Sequence, residues 1–460
     1  MRFPFATLRV KIALSEVMSA LSYALDLVEG QPRGHSVRSC VIGMRIGREL
    51  KLSAADRSSL FYALLMKDLG CSSNAAKMCF LFGADDRETK GAIKTVDWRN
   101  FRQQAGFALS HIAPGKPWLT RALRMVGVLA AGQRAGKELI QIRCERGAKI
   151  ARLFGLGEET AMAIHNLDEH FDGGGHPSGA TGDEIPLLGR IMGLAQTAEV
   201  FLREHDREAM REMLRERRGT WFDPELVTIL LAVSDEDELW QQLSKSTEEM
   251  VQQCEPEEHV LYADDERLDN IAAGFAQVID AKSPWTFNHS RGVADISVGI
   301  AKVLGLSSTR VRDLNRAALL HDIGKLGVSN LILDKPGKLT PEELAVMREH
   351  PRNTFDILHR VAGFGDLADL AASHHERLDG KGYYRGLSAM QLSVDARIMC
   401  VADMYEALTA KRPYREDLSP LTVMEILEKN CAGGGVCPMV LDALKTFVAR
   451  GTFVPYQLAA

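Results

Sequence analysis

The stretch His321-Asp322-Ile323-Gly324-Lys325 ends a run of apolar residues that recur at helical spacing from 310 to 321. A carboxylate directly beside an imidazole, at the end of a helix, can bridge two metal ions while the imidazole binds one of them. A related stretch, Lys67-Asp68-Leu69-Gly70, occurs much earlier in the chain. The chain thus contains two similar stretches, and the residues around them are similar as well.

These residues form an internal repeat. The interval from His35 to Asp68 is the same as the interval from His289 to Asp322. Further along, Asp172-Gly173-Gly174-Gly175-His176-Pro177 corresponds to Asp379-Gly380-Lys381-Gly382-Tyr383-Tyr384, and an Arg-Ile-Met triplet follows each of these aspartates at one common distance. Several anchors at equal spacing indicate two copies of one structural unit.

Apolar residues three and four positions apart predict helices along most of the chain. They fall in 8–29, 36–52, 56–69, 186–204, 290–304, 310–321, 341–349 and 395–410. With 460 residues, of which 46% are hydrophobic, the chain is long enough for two or three domains with sizeable cores. We therefore predict an all-α protein built from two tandem helical bundle domains.

The predicted domain boundaries follow from the repeat and from local charge. The first domain spans 1–234 and carries an insertion near 71–142, and the second spans 265–455. Residues 235–269 contain thirteen Asp/Glu and two Lys/Arg. Residues 235–264 are thus predicted to be an acidic linker, either a solvated helix or a mobile connection.

Composition excludes several classes of function. A net charge of −5 is too small and of the wrong sign for a general binder of nucleic-acid polymers or membrane surfaces. Eight cysteines without a CxxC pair predict reduced thiols, and the absence of a long uninterrupted apolar run predicts no membrane span. We expect a cytoplasmic protein. The amphipathic stretch 8–29 leaves a homodimer open, and the first copy could instead contact a signalling partner.

The second copy concentrates residues that bind metals. One histidine is more often structural than a ligand, but seven ligand-type side chains between 289 and 403 together indicate a metal site. Imidazole and carboxylate together suit iron or manganese. The candidate metal ligands are His289, His321, Asp322, His350, His374, His375 and Asp403.

Longer motifs around these residues resemble the HD-GYP family, a branch of the HD-superfamily phosphohydrolases. The resemblance covers about 265–450 and rests on residues 321–325, on Leu339-Thr340-Pro341-Glu342-Glu343, on 374–383, on Ala402-Asp403 and on Arg412-Pro413-Tyr414-Arg415. It implies two tandem HD-type domains and a metal-dependent phosphodiesterase for a cyclic dinucleotide. The substrate expected from it is chiefly cyclic di-GMP, hydrolysed to pGpG or GMP.

The resemblance also implies roles for individual residues. Five histidines and Asp403 match metal ligands, and Asp322 matches the carboxylate that bridges two divalent ions. Asp322 and Lys325 are the catalytic candidates, since an ammonium near the phosphate stabilises charge that develops during the reaction. The substrate contacts implied are Lys325, Tyr383, Arg412 and Arg415. Trp285 stands where members with a third metal carry a carboxylate, so we expect two ions.

Some positions depart from the family pattern. Tyr384 replaces the proline of Gly-Tyr-Pro, Ser329 stands where a proline often follows the His-Asp motif, and Thr354 replaces a common glycine. The ligand set is untouched, but the identity of the substrate is left open. An HD phosphohydrolase acting on another nucleotide or phosphoester remains an alternative, as does a non-catalytic regulator that binds a cyclic dinucleotide or a partner.

The first copy lacks most of the ligand set. A site with a cation and a leucine in place of imidazoles cannot assemble two metal ions, so we predict that this copy is degenerate and regulatory. The residues at the corresponding positions are Lys67, Cys71, Arg143, Leu167, Asp168 and Gln196.

Overall fold

The computed structural model describes residues 12–97, 100–410 and 418–451, and gives the backbone alone for residues 101 and 129–135. Within these ranges the all-α class is confirmed, because almost every regular element is a helix. Two short strands, β1 (Ile12–Ala13) and β2 (Tyr262–Ala263), pair in antiparallel fashion. None of the helices described is long and apolar enough to cross a bilayer.

The first copy and its insertion are a bundle of helices joined by short connections. A 3₁₀ segment at Cys71–Asn74 follows the Lys67-Asp68 stretch, and another lies at Gly182–Glu184. The helices are α1 (Leu14–Val28), α2 (His35–Glu49), α3 (Ala54–Leu65), α4 (Ala75–Phe82), α5 (Asp86–Ile93), α6 (Phe101–His111), α7 (Trp118–Leu153), α8 (Glu158–His165), α9 (Leu187–Glu204), α10 (Arg207–Glu216) and α11 (Pro224–Val233).

The acidic segment is helical and packed. It forms α12 (Asp237–Leu243), α13 (Thr247–Cys254) and a 3₁₀ turn at Glu257–His259. A capping box between Ser246 and Glu249 starts α13, and Met250 and Val251 on its inner face are buried. Helix α13 packs against α2, so the segment is held on the first copy, and its acidic side chains other than Glu255 are exposed.

The second copy repeats the order of the first. Its 3₁₀ segments lie at Pro284–Thr286 and Ile323–Gly327. Its helices are α14 (Asp265–Asp280), α15 (His289–Val303), α16 (Ser308–Leu320), α17 (Asn330–Leu333), α18 (Pro341–Arg348), α19 (His350–Leu358), α20 (Gly365–Ala372), α21 (Val394–Thr409), α22 (Pro420–Ala432) and α23 (Pro438–Ala449).

Buried polar contacts recur at matching positions of the two copies. Asp26 accepts hydrogen bonds from the backbone N–H and hydroxyl of Ser36 at 3.0 and 2.7 Å. Asp280 accepts the equivalent bonds from Ser290 at 3.2 and 2.7 Å. These bonds satisfy donors at the N-terminus of α2 and of α15. The two copies thus share tertiary contacts as well as sequence spacing.

Helix α1 begins later than its apolar periodicity predicted, at Leu14, because residues 12–13 pair with β2. Its apolar face is buried inside the chain, where α1 packs against α2, α19 and the Ile323–Gly327 segment. The amphipathic pattern that left a homodimer open is therefore accounted for within one chain.

One continuous hydrophobic core links the two copies. Phe154 of the first copy stacks on Phe275 of the second with ring centroids 5.5 Å apart, and both rings are buried. Burying a phenylalanine side chain stabilises a fold by roughly 1.5–3 kcal/mol. The copies are thus joined by core packing in addition to the connecting segment.

Candidate metal centre

The helices of the second copy bring all seven candidate ligands together. His289 and His350 begin α15 and α19, His321-Asp322 directly follow α16, and His374-His375 follow α20 after Ser373. Asp403 projects from the middle of α21. Six of the seven are buried, and His375 is partly exposed. These residues are widely spread along the sequence, and the bundle places them in one cluster.

Asp322 lies at the middle of the cluster. Its Oδ2 is 3.4 Å from His289 Nε2 and 3.3 Å from His321 Nε2. Its Oδ1 faces the other side, 3.4 Å from His350 Nε2 and 3.6 Å from His374 Nε2. Each carboxylate oxygen therefore serves a different pair of histidines, which is the arrangement needed to bridge two ions.

Asp403 faces both parts of the cluster. Its Oδ1 is 3.4 Å from His289 Nε2, and its Oδ2 is 3.6 Å from His375 Nδ1. The potential ligands form two groups, and within each group the ligand atoms lie within 4.8 Å of one another. One group is His289, His321 and Asp322, and the other is His350, His374 and His375. Asp322 Oδ1 also faces the second group, so the candidate ligands surround two possible ion positions with Asp322 between them.

The hydrogen bonds of the histidines leave lone pairs aimed at the centre. His321, His350 and His374 each donate from Nδ1 to the carbonyl oxygen three residues earlier, at 2.7 Å. A carbonyl only accepts, so Nδ1 carries the proton and a neutral ring has a lone pair on Nε2. The Nε2 atoms of His350 and His374 then face each other at 3.0 Å. Two lone pairs at this distance repel each other unless a proton or a metal ion lies between them.

Burial and charge set the protonation states that metal binding requires. Burial lowers the pKa of His350 and of His375 well below the ordinary value and that of His374 to about 4. Burial alone would raise the pKa of Asp322, but the neighbouring His321 and Lys325 outweigh it and hold that pKa well below its usual range. Neutral imidazoles and an ionised carboxylate are the ligand forms that bind metals.

His289 behaves differently from the other histidines. Burial alone would lower its pKa, but the carboxylates of Glu406, Asp322 and Asp403 outweigh burial and raise the pKa well above the ordinary value. The same carboxylates that favour a proton on this ring favour a metal ion there. The donor set, five imidazoles and two carboxylates, fits iron or manganese better than it fits magnesium or calcium.

Of the predicted catalytic and substrate-binding residues, Lys325 and Tyr383 lie next to the metal ligands. Lys325 lies at the edge of the cluster, with its Nζ 2.5 Å from Asp322 Oδ2. The ring of Tyr383 is 4.7 Å from that of His375, and the Arg348 guanidinium lies 5.3 Å over the tyrosine ring. Arg412 and Arg415 lie outside the described residues, so their predicted contacts with substrate remain predictions.

Several residues that shape the centre were missed from the sequence. Glu406 accepts a hydrogen bond from Nδ1 of His289 and so orients that ring. Thr354 donates to the His321 carbonyl at 2.8 Å and accepts from the Gly324 N–H at 3.1 Å, which ties α19 to the His-Asp stretch. Glu199 contacts His35 in the same way in the first copy. The repeat thus carried a signal for the orienting glutamate.

The loop that bears Tyr383 is held by another buried acid that sequence reasoning missed. The carboxylate of Glu376 accepts backbone hydrogen bonds from Arg385 at 2.8 Å and Leu387 at 2.8 Å. In the first copy, Glu169 accepts from the backbone of Ser178 at 2.6 Å. Tyr384, which replaces the proline of the family motif, does not prevent this loop from closing.

We expect the Gly324→Ala substitution to damage the centre and the fold together. A Cβ there would overlap the backbone carbonyl oxygen of His350 and lie 2.8 Å from the Thr354 nitrogen. Because both obstacles are backbone atoms, α19 must shift away from Asp322, at a cost of about 3 kcal/mol. Thermal unfolding and metal content measure the effect. Gly365→Ala is the control, since nothing lies within 4 Å of a Cβ at that position; equal stability of the two variants would refute the expectation.

The corresponding place in the first copy is filled by charged side chains. The Lys67 ammonium pairs with Asp68, and Arg143 pairs with Asp168. Lys94 lies 2.9 Å from Glu29, which with Asp68 and Cys71 forms a tight buried group. Burial raises the pKa of the Cys71 thiol well above its ordinary value. Ammonium groups thus neutralise the carboxylates that metal ions would otherwise balance.

Fold and site together define a helical metal-dependent phosphohydrolase of the HD class. The family model described as HD domain matches residues 135–226 and 274–433, more than half of the chain and parts of both copies. The chain therefore belongs to the HD domain family, and its motifs place it in the HD-GYP branch.

Individual proteins similar to this chain include phosphodiesterases of two cyclic dinucleotides. A 3′3′-cGAMP-specific phosphodiesterase of Vibrio cholerae is 42% identical over 419 residues, 91% of this chain and 91% of that protein. A crystal structure of a cyclic GMP-AMP specific phosphodiesterase in V. cholerae superimposes with a TM-score of 0.65 at 35% identity, covering 96% of this chain and 98% of the other. A cyclic di-GMP phosphodiesterase of Thermotoga maritima is 42% identical over 134 residues, 28% of this chain and 36% of that protein.

Proposed function

We propose that this chain hydrolyses a cyclic dinucleotide, and that its preferred substrate is 3′3′-cGAMP. The observation that carries the hydrolytic part is the position of Asp322, whose two oxygens each face a different pair of histidine lone pairs. The choice of substrate is supported by the Vibrio relative, because the similarity to it extends over both copies. Cyclic di-GMP, expected from the sequence, becomes the second candidate.

The ligands divide the work of holding two ions. Asp322 would bridge them, with His289, His321 and Asp403 on one side and His350, His374 and His375 on the other. When bound, two such ions supply a hydroxide at neutral pH and a clamp for the phosphate. Glu406 keeps His289 in the orientation that points Nε2 inward.

The remaining residues act on the substrate. In the reaction the oxygen of water forms a bond to phosphorus as the water gives up a proton, and the bond from phosphorus to the ribose oxygen breaks as that oxygen takes up a proton. Lys325 is placed beside Asp322 to stabilise negative charge as it develops on the phosphate. Tyr383 borders the partly exposed His375 and is proposed to contact a base of the substrate. Arg412 and Arg415 are proposed to grip the second phosphate.

The second candidate has support of its own. The T. maritima relative is a cyclic di-GMP phosphodiesterase, and its 42% identity to this chain over 134 residues equals that of the Vibrio relative. The two substrates differ in one purine, so a modest change in contacts to the base decides between them.

Competition between the two substrates tests the proposal. Purified protein with its bound metals is mixed with equal amounts of 3′3′-cGAMP and cyclic di-GMP, and the linear products are quantified over time. We expect kcat/KM for 3′3′-cGAMP to exceed that for cyclic di-GMP by about tenfold or more. A reversed or absent preference would favour the second candidate, and no hydrolysis of either by metal-loaded protein would refute the substrate class.

A further inference from the structure

Helix α5, in the insertion of the first copy, reaches the second copy beside the metal centre. Asp86, its first residue, is fully buried. The Oδ2 of Asp86 lies 3.1 Å from the Nζ of Lys282, and its Oδ1 accepts a 2.8 Å hydrogen bond from the backbone N–H of Asn330. Lys282 and Asn330 both belong to the second copy, so the Asp86 carboxylate of the insertion binds two separate segments of the second copy.

The next residue of the helix makes a second contact of the same kind. Arg87 donates from its guanidinium to the backbone carbonyl of Gly327 at 2.5 Å. Gly327 and Asn330 are the two ends of a short turn. This turn directly follows the Ile323–Gly327 segment that carries Lys325, and His321-Asp322 come directly before that segment. Adjacent side chains of the first copy therefore hold both ends of the turn.

The turn is also tied to the end of α14. Lys282 is buried, and its carbonyl accepts a 2.8 Å hydrogen bond from the side chain of Asn330. The same Asn330 amide donates at 2.6 Å to Asp334, which accepts a further bond from Ser283 at 2.5 Å. Burial lowers the pKa of Lys282, and the Asp86 carboxylate opposes that shift. The result is a buried polar network between the copies.

A buried ion pair adds little to stability by comparison with apolar packing, because desolvation offsets the attraction. What it does provide is a defined relative position of the groups it joins, since a buried charge without its partner is strongly unfavourable. The bonds to Gly327 and Asn330 add fixed distances and directions to the apolar packing of α1 against the same segment.

We infer that Asp86 and Arg87 of the first copy are positioning residues for the metal centre of the second copy. They fix the Gly327–Asn330 turn, and through it the segment that carries Lys325 and Asp322. This inference rests on the proposed function and gives the insertion at 71–142 a role in turnover. The first copy then acts on the reaction through these contacts.

The first experiment compares Asp86→Ala with Glu88→Gln, which removes an exposed charge from the same helix. We expect Asp86→Ala to lower kcat for the cyclic dinucleotide by about tenfold, with two metal ions per chain retained. Hydrogen exchange, followed by mass spectrometry, should become faster in peptides that cover 327–334. Unchanged exchange and unchanged kcat in Asp86→Ala would overturn the inference.

A double variant separates positioning from stability. Asp86→Ala leaves the Lys282 ammonium buried without a partner, so it also lowers the unfolding temperature. Asp86→Ala with Lys282→Met removes that ammonium, and we expect the unfolding temperature to recover while kcat stays low and exchange stays fast, because the acceptor for the Asn330 N–H is still missing. If kcat recovered together with the unfolding temperature, the network would contribute only to stability, and the inference would be refuted.

The exchange measurement does not depend on the substrate. If the wild type hydrolyses neither cyclic dinucleotide, the proposed function fails, while faster exchange at 327–334 in Asp86→Ala and in the double variant still supports the positioning contact. If the wild type is active and exchange is the same in all variants, the positioning contact fails and the proposed function stands.

Discussion

The Asp322→Asn variant is expected to lose hydrolysis by about 10⁴-fold or more in kcat/KM, with fewer than two ions bound per chain. An amide of the same shape offers one weak oxygen ligand, and its NH₂ group turns a donor toward one of the histidine pairs now 3.3–3.6 Å from the carboxylate. One ion position therefore loses its anionic ligand, and the bridge between the two positions disappears. Metal analysis and steady-state kinetics on the same preparation measure both effects.

The repeat supplies a matched control for this substitution. Asp68 occupies the equivalent place in the first copy, where it pairs with Lys67 in a buried contact. Asp68→Asn removes the same charge from the same kind of helix end without touching the metal centre. We expect it to lower stability while leaving metal content and kcat close to the wild type. If both variants lost activity equally, the centre would not be confined to the second copy.

Removal of the metals is expected to have the second largest effect. Chelation should bring hydrolysis to background and lower the unfolding temperature, because His350 and His374 would then face each other with lone pairs 3.0 Å apart. A ligand present at about a thousand times its Kd stabilises a protein by roughly 4 kcal/mol. For domains of this size that corresponds to a shift in unfolding temperature on the order of 10 °C. Thermal unfolding before and after chelation tests this.

Reconstitution distinguishes metal binding from general damage. Fe²⁺ or Mn²⁺ should restore both hydrolysis and the unfolding temperature, while Mg²⁺ should restore them poorly, since it prefers oxygen ligands and this centre is rich in imidazole. Asp322→Asn provides the control, because its unfolding temperature should respond less to the chelator. Full hydrolysis by protein shown to contain no metal would contradict the two-ion centre.

Local sequence patterns were sufficient to predict the helices and the degenerate first copy. The start of α15 at His289 and the end of α16 at Leu320 fall within a residue or two of the ends of the apolar periodicity. This works because helix periodicity and capping are properties of neighbouring residues. The predicted beginning of α1 was wrong, because Ile12 and Ala13 pair with Tyr262 and Ala263, and no local pattern reports a partner so distant in the chain.

The clustering of the seven candidate ligands was predictable for a related reason. Each ligand lies at a helix end or on an inward helix face, and histidine and aspartate at fixed spacing from Gly324 follow a recurrent motif. The orienting Glu406 was not predicted, because its role depends on contact with His289, which is far from it in the chain. The equivalent Glu199 of the first copy, at the same spacing in the repeat, was the signal that could have found it.

Residue type and spacing alone predict a tandem pair of helical units with the metal ligands in the second, because both predictions depend on patterns that can be counted along the chain. The tertiary structure decided how the units act on each other. It buried the acidic segment's apolar face on α2, placed ammonium groups among the carboxylates of the first copy, and set Asp86 against Lys282 and Asn330. The contacts of Asp86 join residues far apart in the chain, and they form only because the core between the copies brings their helices together.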